Sequence, residues 1–199
     1  MSRKKRIGIF GGSFDPPHIG HLICARSVAE ELELDQILII PTAVQPGKPN
    51  GSVESTEDRW EMVKAMTSGD SLFKPLKIEI ERGGTSYTVD TLRVLRQEYP
   101  VEDVDLFLLL GFDSANGIEK WREPDAVTDL AQLAVMQRVG DTSDGLPKPW
   151  CDKMIVVNTP VIEISSTNIR QRLKHKLPIG MMTGESVLMI KEKNKLYSQ

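Results

Sequence analysis

"GIFGGSFDPPHIGHL", Gly8 to Leu22, is the stretch whose reading decides both the fold and the chemistry of this chain. The run Arg6 to Phe10 meets Gly11-Gly12, which reads as a buried strand ending in a tight turn that a ligand can approach closely. Pro16 and Pro17 stiffen the turn, and a helix opening near His21 presents unsatisfied N–H groups to an anion. No Gly-Lys-Ser/Thr comes after the glycines, so this is not a Walker loop. Nor is the spacing that of a dinucleotide fingerprint, and the second strand ends in Pro41-Thr42 without a ribose-binding acid, which argues against a hydride-transfer dehydrogenase. In place of lysine stand two imidazoles, His18 and His21, three positions apart. Three readings stay open for them: a metal pair with no evident third ligand, two satisfied or solvent-facing rings, or two Nε2–H donors aimed at phosphate.

Outward from this stretch, short apolar runs alternate with helical patterns. Residues 21–34 read as the first helix and 36–41 as the second strand. Residues 56–66 read as a helix with Trp60 and Val63 inward, and the alternating "LKIEIE" (76–81) as a strand. An amphipathic helix over 87–99, stopped by Pro100, precedes the most apolar strand, 105–111. A short helix at 125–130, strands at 132–140 and 153–158, and helices at 166–174 and 183–196 complete the pattern. Such alternation predicts an α/β fold: a doubly wound, Rossmann-like, mostly parallel sheet with helices on both faces and a helical segment at its C-terminal end. Ligands in such sheets sit beyond the carboxyl ends of the strands, which singles out 11–21, 41–55, 83–90, 111–121 and 164–170.

With 199 residues, one domain spanning 1–199 is the simplest expectation, and 40% apolar with 27% charged residues is ordinary for a globular protein. A net charge of −3 gives no general attraction to nucleic acid or to an anionic membrane, so a phosphate ligand needs a local basic site. Cys24 and Cys151 form neither a disulfide framework nor a zinc pattern and fit a reducing cytosol. The basic start "MSRKKR" runs into too short an apolar segment for a signal peptide, and no stretch reaches transmembrane length, so a cytoplasmic protein is expected.

A second stretch, "ISSTNIR" (Ile164 to Arg170), places Ser165, Ser166 and Thr167 at a helix start with Arg170 a turn further on. Hydroxyls, helix-start amides and a guanidinium together can cradle a polyphosphate, although Ser-Ser-Thr also serves as a plain N-cap.

"GGSFDPPHIGH" resembles the HxGH signature of the nucleotidyltransferases that transfer adenylyl groups from ATP, and "ISSTNIR" resembles their ISSTxIR element. "SYTVDTL" is similar to the SYTxDTL element of the bacterial-type nicotinate mononucleotide adenylyltransferases, and "GFDSANGIEKW" to their GxDxxxxxxxW element. "MQRVG" is similar to the segment where that family carries a basic residue on its fifth strand. The chain departs from the family at one place: where the family has Pro-Pro-His-Lys, it reads "QPGKPN", so Lys48 matches but Gly47 replaces the histidine.

The resemblance implies adenylyl transfer from ATP to nicotinate mononucleotide, giving deamido-NAD and diphosphate with Mg²⁺ accompanying ATP. It places His18, His21 and Arg170 on the reacting phosphates and Gly11, Ser13, Phe14, Ser166 and Thr167 around ATP. Gly111 and Asp113 are placed on its ribose. It implies Thr85, Tyr87 and Thr88 around the nicotinate carboxylate, Trp121 stacked on the pyridine ring, and Lys48 and Arg138 neutralising the acceptor phosphate or the leaving group. No protein ligand for the metal is implied. Residue-level alternatives are an Asp113 turn cap, a core tryptophan, and an ordinary N-cap at 85–88. At the level of function, the alternatives are preference for nicotinamide mononucleotide and a non-catalytic nucleotide sensor on the same fold. Small molecules are the expected partners, neither nucleic acid nor membrane, and the oligomeric state is left open.

Overall fold

The computed structural model describes residues 3–47, 51–137 and 146–197. Its strands form a six-stranded sheet in the order β3-β2-β1-β4-β5-β6, made of β1 (Lys5–Gly12), β2 (Gln36–Pro41), β3 (Phe73–Pro75), β4 (Val104–Gly111), β5 (Gln132–Gln137) and β6 (Met154–Asn158). The pairs β1–β4, β4–β5 and β5–β6 run parallel, with Ile9 opposite Leu108 and Leu109 opposite Ala134. This is the α/β architecture that the strand–helix alternation predicts. The strand order changes direction at β1, whose carboxyl end is Gly11-Gly12.

Contacts divide the chain into two compact units, residues 1–10, 24–38 and 87–161 in one and residues 11–23, 39–86 and 162–199 in the other. In the first unit Leu106 to Leu110 and Leu133 to Val135 are buried, which is why these strands read as unbroken apolar runs. Helix α4 (Thr88–Glu98) buries Val89, Leu92 and Leu95, and its Arg96 donates to the carbonyls of Leu130 and Val104, each at 2.8 Å. The helices α5 (Phe112–Asn116), α6 (Pro124–Leu130) and α7 (Lys148–Cys151) are short. Helix α1 (Ile19–Glu31) begins in the second unit and continues into the first.

The second unit is built on α2 (Thr56–Thr67). Its N-cap Ser55 accepts the Asp58 amide at 3.1 Å, with Glu57 and Asp58 in the first turn and Lys64 in the last, in accord with the helix dipole. Met62 packs with Val187 of α10 (Glu185–Lys193) and with Leu196. Helices α8 (Ser166–Lys174) and α9 (Gly180–Thr183) belong to the same unit.

Several expected boundaries change. "LKIEIE" is not a strand: β3 ends at Pro75, and α3 (Ile78–Arg82) comes next, burying Glu79. The alternation fits a strand, but the helix turns Glu79 rather than the isoleucines fully inward, and the Gly83-Gly84 pair, at φ 68° and 67°, ends it in a conformation that side chains disfavour. The Gly83 amide bonds back to the carbonyls of Glu79 and Ile80. The expected helix at 183–196 is split by Gly184 at φ 78°. In α2 the inward position falls to Arg59, 1% exposed, while Trp60 is half-buried with Lys64 and Lys77 near its ring. Residues 138–140 of the fifth strand lie outside the described residues.

Candidate active site

Helix α1 starts at Ile19, two residues earlier than the pattern suggests, so His18 immediately precedes the helix and His21 lies in its first turn. The two rings stack with centroids 3.6 Å apart and planes at 24°. The His18 amide donates to His21 Nδ1 at 3.1 Å, so the neutral His21 ring carries its proton on Nε2, the tautomer that donates outward. The Phe14 ring meets His21 edge-on, its centroid 5.0 Å away. Burial lowers the His18 pKa to about 4. Burial, with the neighbouring His18 ring, lowers that of His21 to about 3. Both are therefore neutral hydrogen-bond donors at pH 7, and the buried His18 Nδ1 has no partner.

Helix α8 docks on the loop that leads to these histidines. Ser165, not Ser166, is its N-cap, accepting the Asn168 amide at 3.1 Å. Ser166 Oγ donates to the Pro16 carbonyl at 2.8 Å. Arg170 donates from Nη1 to the Asp15 carbonyl at 2.5 Å and from Nη2 to Thr167 Oγ1 at 3.2 Å. The two motifs at opposite ends of the sequence are thus hydrogen-bonded to each other within one compact unit. Gly11 is exposed there, and Ser13 is half-buried with its carbonyl accepting from Arg59 at 2.6 Å.

The remaining candidates belong to both units. In the second, Thr85 is exposed and forms an isolated bridge with Val44, and the adjoining Ser86 accepts the Ala43 amide at 2.9 Å on its hydroxyl. In the first, Tyr87 is the N-cap of α4 and Thr88 its first residue, with the Arg122 guanidinium 5.0 Å from the centre of the Tyr87 ring. Gly111 ends β4, where a Cβ would meet nothing within 4 Å, and Asp113 lies in α5. Trp121 closes a short 3-10 turn and is half-buried. Lys48 and Arg138 lie outside the described residues.

The cytidylyltransferase-like family model matches residues 9–172. A Bacillus licheniformis protein described as a "probable nicotinate-nucleotide adenylyltransferase" is 36% identical over 193 residues, covering 97% of this chain and 98% of that protein. One of the same description from Desulfitobacterium hafniense strain Y51 is 39% identical over 200 residues, covering 97% and 96%. The chain belongs to the nicotinate-nucleotide adenylyltransferase family. Its fold is that of the Plasmodium falciparum nicotinic acid mononucleotide adenylyltransferase solved in complex with NaAD, at TM-score 0.74 and 19% identity over 98% of both chains. The same enzyme solved with APC superposes at TM-score 0.73.

In this nicotinate-nucleotide adenylyltransferase family member, three residues that motif reading undervalues pack around the candidate residues. Gly20 is one: a Cβ there would lie 3.0 Å from Ile162 and 3.1 Å from His18 Nδ1, so the glycine between the histidines makes room for the first ring. Asp15 is another, 2% exposed, with a carboxylate that accepts the amides of Val53 (2.5 Å) and Glu54 (3.3 Å) and the Tyr197 hydroxyl (2.7 Å). Arg59 is the third, donating to the carbonyls of Ser13, Thr42 (2.7 Å) and Ala43 (3.3 Å) beneath the glycine turn.

No three His, Cys, Asp or Glu side chains among the described residues gather where they could hold a metal ion, and the Asp15 carboxylate is already engaged by three donors. These residues do not build a magnesium cage. No helix among the described residues is long and apolar enough to cross a membrane.

The histidine environment carries a pH signature. A histidine lowered from 6.5 to about 4 binds fewer protons folded than unfolded between those values. Stability is therefore full above pH 6.5 and falls as the pH drops toward 4. Between pH 7.5 and 5.0, wild-type protein is expected to lose on the order of 1–2 kcal/mol more than His18→Asn, read as a steeper fall in melting temperature. Equal slopes would refute the buried neutral ring.

Proposed function

We propose that this chain transfers the adenylyl group of ATP to nicotinate mononucleotide, releasing diphosphate and forming deamido-NAD. The observation that carries the reading is the hydrogen-bonded union of the His18–His21 pair's loop with the Ser166–Arg170 helix start. The acceptor phosphate is anionic near neutral pH and attacks the α-phosphorus in line; its oxygen forms the new P–O bond as the bond to diphosphate breaks. No general base is needed, so the protein's work is positioning and charge stabilisation. His21 Nε2–H and His18 donate to the α-phosphate, Ser166, Thr167 and Arg170 hold the β- and γ-phosphates, and Gly11, Ser13 and Phe14 line the nucleotide. Magnesium, bound by the phosphates themselves, would add neutralisation of the diphosphate, and the enzyme would work in the cytoplasm.

Gly111 and Asp113 are proposed to hold the ribose, and Trp121 to stack on the pyridine ring. Thr85, Tyr87 and Thr88 are proposed to receive the nicotinate carboxylate, with Lys48 and Arg138 neutralising phosphate. The helix start at Thr88 favours an acid over an amide. In an assay that monitors diphosphate, product is expected only when acceptor is present, with kcat/KM for nicotinate mononucleotide at least about tenfold above that for the nicotinamide analogue. Amide preference would overturn the acceptor assignment. Diphosphate release without acceptor would overturn the transfer itself.

A further inference from the structure

We propose that Tyr197 is a positioning residue for ATP: its hydroxyl, through Asp15, holds the Ser13–Pro17 loop in the form that presents His18, His21 and Arg170 to phosphate. The inference rests on the proposed phosphate site and adds a residue that belongs to neither motif.

The turn bearing Tyr197 has fastenings besides Asp15. Leu196 sits in the core with Met62 and Val187, Asn194 donates to Asp58 Oδ1 at 3.0 Å, and the Tyr197 amide donates to Glu54. The tyrosine hydroxyl thereby reaches Asp15 from an anchored base. Every donor to the Asp15 carboxylate among the described residues is uncharged: two backbone amides and one phenol. The same residue's carbonyl accepts Arg170, and the next carbonyl, that of Pro16, accepts Ser166. Asp15 is thus joined on one side to the 53–54 segment and the 194–197 turn, and on the other to the helix that carries the phosphate donors.

Burial and the adjoining carboxylate raise the Tyr197 pKa, so the hydroxyl stays a donor throughout the working range. If that donor is removed, Asp15 Oδ1 loses the shorter of its two hydrogen bonds, 2.7 Å against 3.3 Å from the Glu54 amide, in a buried place where a carboxylate is costly to leave under-satisfied. Two guanidiniums are near enough to respond: Arg59, already held by three carbonyls, and Arg170, whose hydrogen bond to the Asp15 carbonyl leaves it free to swing toward the carboxylate. Arg170 captured by Asp15 is Arg170 withdrawn from the triphosphate. Tyr197 therefore supplies a neutral donor where a charged one would compete with the substrate.

The test measures the Kd of an ATP analogue carrying a methylene between its α- and β-phosphorus, and the KM of both substrates, for wild type, Tyr197→Phe, Asp15→Asn and the double variant. Tyr197→Phe is expected to weaken analogue binding and raise the ATP KM about five- to tenfold, with the acceptor KM changed less than about twofold. Asp15→Asn is expected to weaken ATP at least as much, and adding Tyr197→Phe to it to cost little more. A hydroxyl that served stability alone would lower the melting temperature and leave the analogue Kd of the folded protein unchanged; that result, or fully additive losses, overturns the inference. Should Tyr197→Phe fail to fold, Glu54→Ala, which frees the Tyr197 amide, is expected to weaken the analogue about two- to threefold, and no weakening overturns it equally. His21→Ala separates the two readings: if it stays fully active the phosphate site itself is wrong, and if it is inactive while Tyr197→Phe binds normally only this inference falls.

Discussion

His21→Ala is expected to lower kcat by about two to three orders of magnitude while leaving the far-ultraviolet spectrum and the cooperative melt intact. The size comes from losing one preorganised donor to a developing oxyanion, a loss of about 3–4 kcal/mol in comparable sites. In the proposed role His21 is already oriented: its Nδ1 is held by the His18 amide, its ring stacks on that of His18 and meets that of Phe14 edge-on, so Nε2–H would need no rearrangement to meet phosphate. No reorganisation is needed at the moment of reaction. His18→Ala should also reduce kcat and, because it unstacks His21, the double variant should fall short of additivity. Steady-state kinetics at saturating acceptor checks the prediction, and a His21→Ala enzyme within tenfold of wild type would remove imidazole from the mechanism.

The second large effect is on stability. Arg59→Met is expected to lower the unfolding free energy by about 3 kcal/mol, close to 10 °C in melting temperature for a chain of this length. Methionine fills much of the volume, so the loss comes from three partly buried carbonyls stripped of their donor, those of Ser13, Thr42 and Ala43. The guanidinium is also a buried positive charge close enough to Asp15 and Tyr197 to interact with them electrostatically, and burial lowers its pKa without making it neutral. Arg59→Lys should recover part of the loss, because an ammonium reaches fewer carbonyls than the planar fork does. Calorimetry on the three proteins decides the matter. A shift under 2 °C for Arg59→Met would mean that the cation contributes nothing net.

Whether a feature was readable from the residues alone depends on whether its signal is local. The glycine turn, the paired histidines and the Ser-Ser-Thr helix start are local: residue type and spacing carry their chemistry, and the hydrogen bonds from Ser166 to Pro16 and from Arg170 to Asp15 join them. The strands expected at 105–111 and, as far as residue 137, at 132–140 are equally plain, since burial on both faces leaves an unbroken apolar run. "LKIEIE" reads as a strand because its isoleucines alternate, yet the helix that forms buries Glu79 between them, against the apolar pattern, and the left-handed glycines that end it lie downstream. Arg59 was legible in principle: with Met62 and Val63 it occupies i, i+3 and i+4 of one face, and only its charge argued for the outside. Tyr197 was not legible at all, because its partner Asp15 is 182 positions away and no periodicity links them.

That long separation bears on synthesis. A nascent chain translated as far as α8 already contains both motifs proposed to bind phosphate, yet Asp15 still lacks its phenol donor until position 197 has left the ribosome. On the proposed role of Tyr197, nucleotide is held about five- to tenfold more tightly once that hydroxyl has reached Asp15, so the strongest occupancy comes only after the 194–197 turn has packed.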